Sequence, residues 1–423
     1  MEYGCPDENN SFMQHRIQNE ITNFAVTNST TKTDIIMKKF FLGLMLLGSA
    51  SVASAQTGKL QVKVNIENLG DSLVVYFQQK RDTIVGKKGK FDFTLDANGT
   101  GMFLIATPAT FRGQDNKYMQ MPVMPDETLE ITGKFPKVEP GDSTAMQTSL
   151  SDVTKYSGSK FYKDYADVME QNKAVTKELT DYNQKMLARI QAGESQETVL
   201  AEYRQNVGPM KEKAENGIME VIKNNSDKEP AAYLISSFDT EEKLEAAIAL
   251  LSDNVKNGRM KDIAYQALNQ MKAQKEAEAK AQKVQAEGVE AQDFTLTDIN
   301  GKEFALSSLR GKYVIIDFWG SWCGWCIKGM PKMKEYYAKY KDKLEIVGVD
   351  SGDTDEKWKE AVKKHELPWL HVKDAEGDNS VAKKYAVSGY PTKILVGPDG
   401  KIVKTVAGED PEFYTFLDNT FGK

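Results

Sequence analysis

The sequence predicts an α/β domain in its last third, with a mixed central sheet and helices on both faces. A small antiparallel β domain and a helical segment precede it. Three observations predict this arrangement. An apolar run at 314–319 leads directly into Trp322-Cys323-Gly324-Trp325-Cys326 and a helical stretch. Apolar and polar residues alternate at period two through 59–135, and apolar residues recur every three or four positions through 159–287.

The elements follow in chain order. Met37-Lys38-Lys39, the apolar stretch 40–48 and Ala53-Ser54-Ala55 read as the basic, apolar and cleavage regions of a secretory signal peptide at 37–55. The apolar stretch is well short of the ~20 residues that span a bilayer. Residues 1–36 are polar and aperiodic, and read as an extension of the gene model ahead of a true start at Met37. The mature chain is then expected to begin at Gln56 and to lack Cys5. This address places the protein in the periplasm or cell envelope.

Residues 56–135 form the antiparallel β domain, expected as a sandwich. Leu60, Val62, Val64 and Ile66 share one face, and Gly70-Asp71, Lys88-Gly89 and Asn98-Gly99 mark turns. Residues 136–158, rich in Pro, Gly, Ser, Asp and Thr, read as a linker. Residues 159–287 read as helices ending in a solvated connector. The stripe Phe161, Tyr165, Val168, Val175, Leu179, Tyr182 and Met186 serves intramolecular packing, with a homodimer through the N-terminal half as the alternative. Pro230 opens a further helix.

Residues 288–423 hold all five tryptophans. Here 314–319 and 344–349 read as buried strands, 323–340 and 355–365 as helices, 394–396 and 402–406 as a hairpin, and 412–421 as a closing helix. The β-α-β-α-β-β-α order gives the mixed sheet.

Composition narrows the function. The chain of 423 residues is 40% hydrophobic and 27% charged with a net charge of −6, which argues against a nucleic-acid partner. Its three cysteines cannot staple a scaffold, so the close pair Cys323/Cys326 reads as reactive. The first cysteine stands where free backbone N–H groups and the helix dipole favour a thiolate. It is the expected attacking group, and Cys326, one turn on and expected to be the more buried, resolves the mixed disulfide. No cofactor beyond this redox-active disulfide and no metal is expected. His365 and His371 have a zinc-finger spacing, but they stand much further from the cysteines than the ~12–15 residues of the common pattern. Asp317, flanked by apolar residues, is expected to be buried with a raised pKa and to take the proton of Cys326. Pro391 in Gly389-Tyr390-Pro391-Thr392 is a candidate cis-proline that leaves the Tyr390 backbone free for an extended substrate.

These residues resemble the thioredoxin superfamily. Asp317-Phe318-Trp319, Trp322-Cys323-Gly324 and Cys326 match its active-site stretch, Pro331 its helix-kinking proline, and Tyr390-Pro391-Thr392 its cis-proline loop. Segments 291–296 and 307–312 resemble the N-terminal extension of the envelope TlpA/ResA-like branch, which peroxiredoxins share. The resemblance covers 288–423 and implies a thioredoxin-like fold and a protein-disulfide oxidoreductase. It also implies a membrane electron donor, with Tyr390, Pro391, Trp322, Gly324 and Trp325 contacting the protein thiol or disulfide substrate. The chain departs from the pattern at Gly348, where thioredoxin has a lysine, and at Gly329, where the cytochrome-maturation branch often has a glutamate. Gly324-Trp325 replaces Gly-Pro between the cysteines. Gly320, three before Cys323, removes the threonine of a peroxidatic site. Reduction is the expected direction. An oxidase or isomerase is one alternative, and an envelope binding protein using the β domain is another.

Overall fold

The computed structural model describes residues 57–78, 80–111, 117–137 and 150–422. The leader expected at 37–55 and the stretch 1–36 lie outside the described residues. The chain divides into two compact units, Met1–Asn269 and Gln270–Lys423.

The first unit opens with β1 (Thr57–Glu67), β2 (Ser72–Phe77), β3 (Lys80–Val85), β4 (Lys90–Asn98), β5 (Gly101–Ala106), β6 (Tyr118–Val123), β7 (Thr128–Lys134) and β8 (Thr154–Gly158). They build two four-stranded sheets, ordered β4-β1-β7-β8 and β3-β2-β5-β6. The pleat explains β1: Leu60, Val62, Val64 and Ile66 are buried while Gln61, Lys63 and Asn65 between them are exposed. Pairing is antiparallel except between β1 and β7, which run parallel with Val62 beside Leu129. The expected linker 136–158 needs correction at its end. Thr154–Gly158 pairs with β7, and the β-favouring Thr154 and Tyr156 carry a strand that the surrounding Ser and Gly obscure.

Two long helices follow, α1 (Lys160–Gln191) and α2 (Gln196–Asn224). They pack on each other in antiparallel register. Tyr182 stacks on Tyr203 at 5.8 Å, Lys213 pairs with Glu178, and Gly217 faces Val175. The α1 stripe is thus used within the chain. Pro230 opens a 3₁₀ segment, Glu229–Ser237, rather than an α-helix. Then come α3 (Glu241–Leu250) and α4 (Lys261–Gln285), whose buried residues, Ala264 and Leu268, lie near its start. Among the described residues no helix is long and apolar enough to cross a membrane.

The second unit carries a short hairpin of β9 (Thr295–Thr297) and β10 (Glu303–Ala305), then a five-stranded sheet. Its strands are β11 (Tyr313–Trp319), β12 (Leu344–Asp350), β13 (Leu370–Lys373), β14 (Thr392–Val396) and β15 (Ile402–Ala407), in the order β13-β12-β11-β14-β15. The first three lie parallel to one another, while β14 pairs antiparallel with both β11 and β15. Helices α5 (Gly324–Tyr340), α6 (Asp355–Lys364) and α7 (Pro411–Phe421) complete it. Alternation along β11 divides the core. Ile315 and Trp319 pack with Cys326, Met330, Trp358 and Leu417. Val314, Ile316 and Phe318 pack on the other face with Phe294, Leu306, Val381 and Tyr385. Asp317 therefore stands on the face that β11 turns towards α5. The order read from the sequence lacks β13. Its four residues include His371 and Lys373, too short and too polar a run to register as a strand.

Candidate active site

Strand β11 ends at Trp319, and a four-residue turn brings the chain to α5 with Cys323 at the helix N-cap. Asp353 fixes that turn: Ser321 donates to it from its backbone N–H at 2.6 Å and from its hydroxyl at 2.7 Å. Trp322 Nε1–H donates to the Ser351 carbonyl at 3.0 Å. Cys323 and Cys326 are joined in a disulfide. The Cys326 N–H donates to Cys323 Sγ at 3.1 Å, so a free N–H of the first helical turn points at the sulfur expected to become a thiolate. Cys323 and Cys326 are almost equally buried, 6% and 5% exposed, so the expected difference in burial is slight. Position relative to the helix end, not burial, distinguishes the two sulfurs.

Around the disulfide, Trp322 and Trp325 are each 57% exposed, which is unusual for indoles. Trp322 meets the Tyr390 ring edge-on at 5.2 Å, and Lys328 lies 4.6 Å over Trp325. The Tyr390–Pro391 peptide is cis. Gly324 opens α5 with no atom close to where its Cβ would stand. The structure thus brings Trp322 and Tyr390 together beside the cysteines.

Asp317 is 8% exposed, and its Oδ1 has no hydrogen-bond partner. Burial drives its carboxyl up to about 6; Lys393 opposes the shift and Glu409 adds to it. Lys393 and Glu409 escaped the sequence reading. Lys393 did leave a signal, a lone lysine inside the apolar run 392–396. Glu409, in a polar loop, left none. A second acidic pair lies behind the active-site turn. Asp350 is fully buried, and burial with the neighbouring Asp353 pushes it up to about 8. Asp353 is held low despite its own burial by the Ser321 hydrogen bonds.

The histidines stand elsewhere. His365 caps the end of α6, and His371 is buried between the Trp319 and Trp369 rings, where burial pushes it down to about 4. Among the described residues no group of three or more His, Cys, Asp or Glu side chains is placed to hold a metal ion.

A parallel strand that delivers a Cys-x-x-Cys to a helix N-terminus, opposite a cis-proline loop on the neighbouring strand, defines a thioredoxin-like thiol–disulfide oxidoreductase. Comparison with known proteins agrees. The AhpC/TSA family model matches residues 288–405. The thiol-disulfide oxidoreductase ResA of Bacillus thuringiensis is 41% identical over 123 residues, 29% of this chain and 70% of the relative. That of Bacillus subtilis is 40% identical over 124 residues, 29% and 68% respectively. Among solved structures, the thioredoxin domain of a thiol-disulfide oxidoreductase from Bacteroides vulgatus is 33% identical, covering 32% of this chain and 98% of that one, with a TM-score of 0.31. The chain belongs to the ResA family of thiol-disulfide oxidoreductases.

Proposed function

We propose that this oxidoreductase is exported and reduces protein disulfides in the cell envelope. The observation that carries the reading is the Cys323–Cys326 pair at the start of α5, flanked by exposed indoles and the Tyr390-Pro391 loop. The Cys323 thiolate attacks a substrate disulfide, forming a mixed disulfide and releasing one substrate thiolate. Trp322, Gly324, Trp325, Tyr390 and Pro391 hold the substrate strand across this face. Cys326 passes its proton to Asp317 and attacks the Cys323 sulfur; the mixed disulfide breaks and the second substrate thiolate leaves. Two electrons have moved from the dithiol to the substrate, and the dithiol itself is the only redox group the cycle uses. The protein disulfide must then be re-reduced. In an oxidising envelope, that requires a membrane partner relaying electrons from the cytoplasm. The leader expected at 37–55 supports the location.

Replacing Cys323 by Ser is expected to abolish reduction of a model disulfide, and replacing Cys326 by Ser to trap mixed disulfides. Unchanged turnover in the first variant would refute the assignment. The reduction potential of the pair, titrated against dithiothreitol, tests direction. A value near or below about −270 mV supports a reductant, while one approaching about −120 mV makes the protein an oxidant. Sedimentation of the full chain tests pairing through the N-terminal half: a dimer would favour the isomerase reading, and a monomer would not.

A further inference from the structure

Asp317 lies between two neighbouring strands, and glycines at two nearby positions leave its surroundings to be furnished from elsewhere. On β12 its register partner is Gly348. A Cβ there would stand 2.9 Å from His371 Nδ1 and 3.1 Å from Trp319 Nε1, so an imidazole and an indole fill the place and no cation can come from that strand. On β14 its partner is Lys393, whose side chain is 3% exposed. Lys393 Nζ lies 3.9 Å from Asp317 Oδ1 and donates to Glu409 Oε1 at 2.5 Å. Glu409 comes from the loop between β15 and α7, and its carboxylate occupies space that a side chain at 329 would need. A Cβ on Gly329 would fall 2.1 Å from Glu409 Oε1. Gly329 follows Cys326 by three residues, on the same helix face. The acid–amine–acid group therefore lies against the Cys326 side of α5. Tyr414 from α7 donates to Glu409 Oε2 at 3.3 Å, and Glu409 borders a surface hollow lined also by Lys332, Tyr336 and Asp410.

Burying an ammonium is strongly unfavourable unless it is paired. Glu409 alone would satisfy the charge of Lys393, so its placement within 4 Å of a second carboxylate calls for a use. We propose that Lys393 and Glu409 are positioning residues of the resolving step, Lys393 holding Asp317 in its proton-accepting form and Glu409 anchoring Lys393 while opposing that effect. The proposal rests on the reading of Cys326 as the resolving thiol and Asp317 as its base. The step is unchanged in its balance: the Cys326 proton goes to Asp317, the Cys323–Cys326 bond forms, and the bond from Cys323 to substrate breaks. The groups that act on Asp317 are Lys393 from β14, Glu409 from the β15–α7 loop and Tyr414 from α7, while Cys326 on α5 packs with Ile315 and Trp319 of the same β11 face; β12 presents uncharged Gly348, with His371 behind it.

The full-length reduced protein is mixed with Ellman's reagent in a stopped-flow instrument from pH 5 to 9. Attack by Cys323 releases one coloured thiolate and resolution by Cys326 releases a second, so the two steps appear as separate phases. In wild type the second phase accelerates as Asp317 ionises. Lys393→Met removes a cation, and its midpoint is expected about one unit higher. Glu409→Gln removes an anion, and its midpoint is expected lower. Opposite displacements support the proposal, because loss of packing alone slows the phase without moving its midpoint in two directions. Midpoints unmoved, or displaced the same way, overturn it. If circular dichroism shows Lys393→Met unfolded, the sign of the Glu409→Gln displacement decides alone. A wild-type protein with no first phase would instead refute the dithiol reading beneath it.

Discussion

Asp317 shows how a single buried carboxyl can cost a fold stability. Its carboxyl titrates near 6 in the folded protein, above the ordinary 3.8 of an exposed aspartate. Between those values the native state keeps a proton that the unfolded chain has released. The contribution of Asp317 to stability is therefore greatest below about pH 4 and declines as pH rises towards 6. Asp317→Asn removes the penalty while Lys393 keeps Glu409. The variant is expected to be more stable than wild type at pH 7 by on the order of 2 kcal/mol, and no more stable at pH 3.5, in urea titrations at both pH values. It should also slow the second thiolate release more than the first. Asp350 has the same sign over a wider window, declining from about pH 4 through 8, so Asp350→Asn is expected to flatten the loss of thermal stability above pH 7. The burial of Asp317 was legible because apolar residues flank it on both sides. The consequences of that burial were not, since they depend on Lys393 and Glu409, which lie far along the chain and reach the site only through sheet pairing and loop return.

At the scale of elements, the sequence was most readable where periodicity was long. β1, α1, α2 and β11 follow directly from their patterns, and the Cys-x-x-Cys marked the start of α5. Short elements were lost, β8 in a Ser- and Gly-rich stretch and β13 beneath His371 and Lys373. The two glycine departures at 348 and 329 read in the sequence as missing charges. In the fold they are vacancies that Trp319 with His371, and Glu409, occupy. Close approach of elements can also be tested directly. Gly217 on α2 faces Val175 on α1, and a Cβ there would stand 2.7 Å from the valine Cβ. Gly217→Val is expected to destabilise the hairpin by about 1–3 kcal/mol through overpacking, read as a lower midpoint in far-ultraviolet circular dichroism.

On the scale of the whole molecule, both core clusters that enclose the active site are built from residues between Ala291 and Phe421. Residues 288–423 expressed alone are therefore expected to fold and to retain most of the thiol–disulfide oxidoreductase activity on a small disulfide. Loss of that activity on removal of residues 59–287 would assign the N-terminal half a part in catalysis. The positions of the tryptophans have an optical consequence as well. All five lie in the second unit, and two of them, Trp322 and Trp325, precede the two cysteines in sequence and are open to solvent, whereas Trp319, Trp358 and Trp369 are buried. A disulfide quenches the excited state of an adjacent indole, so opening the Cys323–Cys326 bond should brighten the emission of the exposed pair. Iodide reaches those two rings and not the three inside. The iodide-sensitive part of the fluorescence is thus a label-free dial for the electron count of the dithiol, written into the chain beside the bond it reports.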